Sequence, residues 1–276
     1  MNYRVIGDSC CDFTPAELKD GHAISVPMAV IIGGVEYPDD GKRSQADWIS
    51  LIKKDEGYPQ SACPSPDAFY QAFDANSVNF VVTISSKLSG VYNSAMLAKE
   101  MFEEEHPDVK IHVFDSWSAA AGEHVIYEKI VELVNEGRSF EEIVAEVEDY
   151  RDSTTTIFVL DDLETFKRNG RLKGIKALVA TTMNIKPVLI GVEGEIKQID
   201  QAIGINRAVN RMLYHMEKSG LDLTRRVRIT QCDSKKLCGK VARVLKERFG
   251  FTDVEVLDAH GLSTSYENPG GIIIAY

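Results

Sequence analysis

The stretch from Phe80 to Phe102 constrains the fold more than any other. Phe80-Val81-Val82-Thr83-Ile84 is an apolar run that reads as a buried strand, while Val91, Ala95, Leu97, Ala98 and Phe102 mostly keep helical spacing. The polar segment within Ile84 to Ala95, ISSKLSGVYNSA, therefore joins a strand to a helix. Ser85, Ser86 and Ser89 supply hydroxyls, Gly90 lets a ligand approach the backbone, and the helix beyond presents unpaired amides at the positive end of its dipole. Together these suit a small anion. Serine and glycine are also ordinary material for strand-to-helix turns, so these residues alone favour a plain connection over an anion site.

The same order recurs along the first half. Tyr3 to Ile6 reads as a strand ending at Asp8-Ser9, and Thr14-Pro15-Ala16-Glu17 starts a helix with a capping box. Ile24 to Ile32 is expected as one second strand, turned by Gly33-Gly34 and returning over Val35 to Tyr37; Ser44 with Asp47 caps a helix to Lys54. Gly57 to Pro66 reads as a loop carrying Ser61-Ala62-Cys63-Pro64-Ser65, and Pro66 opens a helix to about Ala75. Ile111 to Phe114 is a further strand running into Asp115-Ser116. Helices follow over Glu123 to Asn135 and, behind the Ser139 and Glu142 capping box, to about Tyr150. Strands alternating with helices predict a parallel sheet covered on both faces, with ligands beyond the carboxyl ends of the strands. The loops beginning at Asp8, Ser85 and Asp115 fall there.

After Thr154 to Leu160, another strand, the pattern changes. A helix over Leu163 to Asn169 stops at Gly170, and a longer helical stretch runs to about Met183. A hairpin follows, Lys186 to Ile190 with Ile196 to Asp200 about Glu193-Gly194. A helix over Asn206 to Ser219, a strand Val227 to Cys232, a helix Ser234 to Phe249 and strands Val254 to Leu257 and Ile272 to Tyr276 complete a smaller α/β or α+β unit. The expectation is an α/β protein of two domains, residues 1–155 and 156–276.

The 276 residues, 44% of them hydrophobic, suffice for a well-packed core. No apolar stretch is long enough to span a bilayer and Met1 leads straight into a strand, so a cytoplasmic protein is expected. Five cysteines without CxxC spacing argue against a disulfide framework or a structural zinc. The net charge of -11 disfavours general nucleic-acid binding, yet Lys197 to Arg248 carries 13 Lys/Arg against 5 Asp/Glu. That basic segment suits either an acidic partner or the solvated faces of two helices.

Catalysis finds little support. Ser86 or Ser89 as a nucleophile lacks a base: of the 6 histidines only His260 falls in a C-terminal loop, and neither a G-x-S-x-G elbow nor a phosphate loop is present. Ser50-Leu51-Ile52-Lys53 fits Ser-x-x-Lys without that motif's companions. His124 and Glu128 share a helix face but have no third metal ligand within sequence reach.

Several short stretches, in order, resemble the DegV family of bacterial fatty-acid-binding proteins nearly from end to end. They are Asp8-Ser9, Val26-Pro27, Ser61-Ala62-Cys63-Pro64-Ser65 for T-S-x-P-S, SSKLSGVYNSA for S-S-x-L-S-G-T-Y-x-S-A, Asp115-Ser116, Asn169-Gly170-Arg171 for G-G-R, and Ile185-Lys186-Pro187. The resemblance implies a non-catalytic protein, without cofactor or metal, that buries one long-chain fatty acid in an apolar tunnel between two domains. It also implies presentation of the acid to a separate fatty-acid kinase for phospholipid synthesis. The family's carboxylate cradle uses the first hydroxyl of T-S-x-P-S, the serine of L-S-G and a histidine in H-x-G-P-G. The first two map onto Ser61 and Ser89. Tyr266 stands where the histidine would, Ala62 where the second serine would, and Ile203 where kinase-paired members carry a basic residue. The expected ligand-binding residues are thus Ser61, Ala62, Ser86, Ser89, Gly90 and Tyr266. Met28, Phe158, Leu163, Phe166, Leu178 and Met183 are candidates for the tunnel wall. Burying a sixteen-carbon chain at roughly 0.8 kcal/mol per CH₂ yields on the order of 12 kcal/mol before ordering costs, so the tail can dominate affinity and the carboxylate needs only a few hydrogen bonds. The remaining alternatives are a serine-dependent hydrolase or phosphotransferase, and a lipid-sensing interaction module.

Overall fold

The computed structural model describes residues 2–55, 57–172 and 184–276. Strand β1 (Tyr3–Asp8) runs into a 3-10 turn at Ser9–Cys11, and helix α1 (Pro15–Lys19) has the expected Thr14 and Glu17 capping box. β2 (Ala23–Val26) pairs in parallel with β1 and then stops. One continuous strand over Ile24 to Ile32 does not form. Pro27 has no N–H to give a ladder, so the chain leaves the parallel sheet, and the next amide, Met28, donates to Ser9 Oγ at 3.3 Å. β3 (Ala29–Ile32) belongs instead to a small antiparallel sheet with β4 (Val35–Pro38) on one side and β5 (Gln60–Ala62) on the other. β5 lies inside the expected loop. Helix α2 (Gln45–Lys53) between them has its Ser44 and Asp47 box.

Helix α3 (Pro66–Tyr70) is shorter than expected and is followed by β6 (Val78–Thr83), α4 (Val91–Glu105) and β7 (Ile111–Asp115). β6 and β7 complete a four-stranded parallel sheet in the order β2-β1-β6-β7. Successive residues of β6 face opposite ways, as period-2 geometry requires. Val81 packs with Ala95, Ala98 and Phe102 of α4, while Phe80 and Val82 pack against α5 (Ala121–Asn135) and α6 (Phe140–Ser153). Helices therefore cover both faces.

β8 (Thr156–Val159) opens the second of the two large sheets. α7 (Glu164–Arg168) follows it, and the expected helix to about Met183 lies outside the described residues. The hairpin β9 (Ile185–Val192) and β10 (Glu195–Ile203), helix α8 (Ile205–Lys218), β11 (Val227–Gln231), α9 (Lys235–Val244) and β12 (Val254–Asp258) come next. The chain ends with α10 (Gly261–Glu267) and β13 (Ile272–Ala275). The six strands lie in the order β10-β9-β8-β13-β11-β12, with only β11 and β12 parallel. α5 touches both sheets: Ile126 and Ile130 meet the first, Ala121 and Val125 meet Phe158 and Ile273 of the second. Among the described residues no helix is long and apolar enough to cross a membrane.

α10 was expected as loop, and its start explains why. It begins at a glycine without a local side-chain cap. The cap comes from far away: Asp39 accepts from the Gly261 and Leu262 amides, both at 2.8 Å. Asp12 accepts from the His260 amide at 2.7 Å, and the Gln45 amide donates to the Gln231 carbonyl at 2.8 Å, so three early side chains clasp the late chain. Trp48 packs against Gly261 so closely that a Cβ there would lie 2.4 Å from Trp48 Cε2 and 2.6 Å from Asp39 Oδ1. Gly261→Ala is thus expected to displace α10 and to cost about 1–3 kcal/mol, read as a lowered urea midpoint; an unchanged midpoint would contradict this packing.

Candidate functional site

Ser61 owes its position to β5. It pairs with Val30, and that register turns its hydroxyl toward α10, where Ser61 Oγ lies 3.3 Å from the Tyr266 hydroxyl. Two residues on, Cys63 Sγ lies 3.3 Å from Ser89 Oγ in the loop ahead of α4. Arg171 donates from Nε to the Leu88 carbonyl at 3.2 Å and from Nη1 to the Asn169 carbonyl, which sets its guanidinium beside Ser89. Ser61, Ser89, Tyr266 and Arg171 all line one cavity that opens to solvent at its mouth. Most of its remaining wall is apolar: Met28 and Ile84 from the connections after β2 and β6, Phe158 and Ile273 from β8 and β13, Phe166 from α7 and Leu262 from α10. Phe166 meets the Tyr266 ring edge to face at 4.9 Å, continuing the polar end into the apolar part.

The residues read from sequence separate here. Ser61, Ser89 and Tyr266 come together, although 205 residues separate the first from the last. Ser86, Ala62 and Gly90 are not among the lining residues. Ser86 has an exposed side chain and donates its amide to Asp115 Oδ1 at 3.0 Å, Ala62 pairs with Ala29, and Gly90 is the exposed residue ahead of α4. Ser85 is buried and ties the loop to the β9–β10 hairpin through the Gly194 carbonyl at 2.9 Å. Of the wall candidates, Met28, Phe158 and Phe166 line the cavity and Leu163 packs in the core beside it; Leu178 and Met183 lie outside the described residues. Arg171 carried no assigned role in the sequence, yet it brings a permanent positive charge to the polar end, which Tyr266 as a phenol does not. No histidine is among the lining residues. His260 precedes α10, away from the cavity, and His124 is spent on the Cys11 carbonyl and Glu17.

The description "uncharacterised protein, DegV family" belongs to a family model that matches residues 2–276. A DegV domain-containing protein of Streptococcus pneumoniae strain R6 is 32% identical over 279 residues, spanning 100% of this chain and 99% of that one. Among solved structures, a DegV family protein of Ruminococcus gnavus with vaccenic acid superposes with a TM-score of 0.95 at 36% identity, covering 99% of each chain. The Streptococcus pneumoniae fatty acid kinase B3 protein loaded with linoleic acid superposes with a TM-score of 0.92 at 31% identity, covering 100% of this chain and 99% of that one.

Carboxyl groups are buried close behind this site. Asp8, Asp12, Asp39, Glu123 and Glu267 are all buried, and burial pushes each upward: Asp8 to about 6, Asp12 to about 7, Asp39 in the same direction, Glu123 and Glu267 well above the usual range. Amide donors oppose the rise at Asp8 and Asp39, from Ile84 and Cys10 in one case and Leu262 and Gly261 in the other. Asp8 and Asp12 have an ordinary value of 3.8, so between that pH and about 7 the folded chain holds protons that the unfolded chain has released. Raising the pH through this window therefore removes stability. Thermal unfolding should occur at a lower temperature at about pH 7.5 than at about pH 5.5, and Asp12→Asn should shrink that difference. A difference of opposite sign, or one untouched by the substitution, would contradict the assignment.

Proposed function

Because the chain belongs to the DegV family throughout its described length, we propose that it binds one long-chain fatty acid and catalyses no reaction on it. The acid lies between an N-terminal unit of residues 1–155 and a C-terminal unit of residues 156–276. Its carboxylate is held by the hydroxyls of Ser61, Ser89 and Tyr266, by neighbouring backbone amides and by the charge of Arg171, and its chain runs along the apolar wall. The observation that carries this reading is the convergence of those four side chains on one otherwise apolar cavity. Hydroxyls and a guanidinium complement a carboxylate in a water-poor site without adding a second buried anion.

The non-catalytic part of the reading rests on the partners of the serines. Ser61 faces a phenol and Ser89 a thiol, and neither hydroxyl has a base within hydrogen-bond reach among the described residues. The protein acts in the cytoplasm. A role as carrier for a fatty-acid kinase is favoured by the relative named for that system in Streptococcus pneumoniae. Here the exposed Ile203 occupies the place of a basic residue, so Ile203→Arg should raise the rate at which a cognate kinase phosphorylates the bound acid in a reconstituted assay; an unchanged rate would remove that residue from the handover.

Organic extraction of the purified protein is expected to release close to one fatty acid per chain, and delipidated protein should gain thermal stability with oleate. Ser61→Ala and Ser89→Ala should each weaken binding of oleate by about ten- to a hundredfold, the loss of a charge-assisted hydrogen bond of about 1.5–3 kcal/mol. Lipid-free protein that gives no thermal shift would refute the reading.

A further inference from the structure

One turn of α10 carries two polar groups that the carboxylate cradle does not use. Ser263 and Glu267 stand at i and i+4 and so share a face of the helix, and both line the cavity. Ser263 is 6% exposed and Glu267 0%. Neither Ser263 Oγ nor either carboxyl oxygen of Glu267 makes a hydrogen bond with any described residue. The Asp12 carboxyl is near enough to be favoured by the Ser263 hydroxyl, but the two do not meet hydrogen-bond geometry, and that geometry leaves Oγ without a partner. Asp12, Glu123, Glu128, Tyr150, Gln198 and Thr230 also have an unmatched buried atom, but none of these six lines the cavity; buried polar groups are as a rule matched, so the two unmatched groups that do line it point to a ligand group that matches them.

Burial keeps Glu267 in its neutral form, which offers one O–H donor and one carbonyl acceptor. Ser263 also donates and accepts. Their complement is a neutral group with both capacities, which an alcohol has and a methylene chain lacks. A second carboxylate is disfavoured there by the same burial that keeps Glu267 neutral.

We propose that Ser263 and Glu267 form a second polar subsite that takes a hydroxyl carried on the acyl chain, which makes a hydroxylated long-chain fatty acid the preferred ligand class. The proposal rests on the fatty-acid reading above. A site built to hydrogen-bond a hydroxyl discriminates strongly against the analogue without it, because its own groups are then left unmatched.

The test compares delipidated full-length protein binding stearic acid with its binding a series of monohydroxystearic acids whose hydroxyl position runs along the chain. In the unmodified protein at least one isomer should bind about tenfold or more tighter than stearic acid. In Glu267→Leu, which fills the same space with apolar atoms, that ratio should fall to within about twofold, and Ser263→Ala should reduce it part of the way. Stearic acid binding as tightly as every isomer, as it would if an internal water satisfied both groups, overturns the subsite and leaves fatty-acid binding standing. A preference that survives Glu267→Leu also overturns it. Failure of every acid to bind would remove the fatty-acid reading and the subsite with it.

Discussion

A single buried carboxylate, Asp39, decides where the polar end of the cavity lies. Its two oxygens take the Gly261 and Leu262 amides across 222 and 223 residues of sequence, and these are among the free donors that start any helix. The bond pair fixes the entry of α10, Trp48 closes against its first glycine, and one and a half turns later Tyr266 arrives beside Ser61. Asp39 is hard to ionise where it is, since burial opposes its charge while the two amides favour it. The carboxyl group is kept there because the helix start would otherwise leave buried donors unmatched.

The cavity divides its work along its length. One end has hydroxyls and a guanidinium; the rest has Met28, Phe158, Phe166, Leu262 and Ile273, contributed by elements from both halves of the sequence. An amphipathic guest of matching pattern draws most of its affinity from the apolar part, where each methylene adds a similar increment, and its orientation from the polar part. α5 keeps the two halves of that wall in register. Packed against both sheets, it leaves little freedom for one to slide on the other.

Much of this was legible in the sequence where local rules govern. The parallel sheet followed from apolar runs alternating with capped helices, and the Thr14, Ser44 and Ser139 boxes form as their spacing implies. The loop after β6 emerges at the carboxyl end of the sheet, beside those after β1 and β7. Ser61, Ser89 and Tyr266 were legible by resemblance, and they line one cavity. What escaped depends on distant partners. β5 has three residues and exists only because β3 offers an edge, and α10 has its cap 222 residues away. The break at Pro27 was visible in principle, since proline cannot extend a central ladder, but an apolar run on both sides concealed it. Arg171 was visible only as the end of Asn169-Gly170-Arg171, without a role, because the bond to the Leu88 carbonyl that turns it to the cavity depends on a residue 83 positions away.

Residues from β5, from the loop before α4 and from α10 address one carboxylate. A crystal structure of the protein with oleate tests this most directly. Carboxylate oxygens are expected within hydrogen-bond distance of both Ser61 Oγ and Ser89 Oγ, with the chain running past Phe158 and Phe166. A headgroup seated anywhere else, or an acid lying on the surface with the cavity closed, would contradict it.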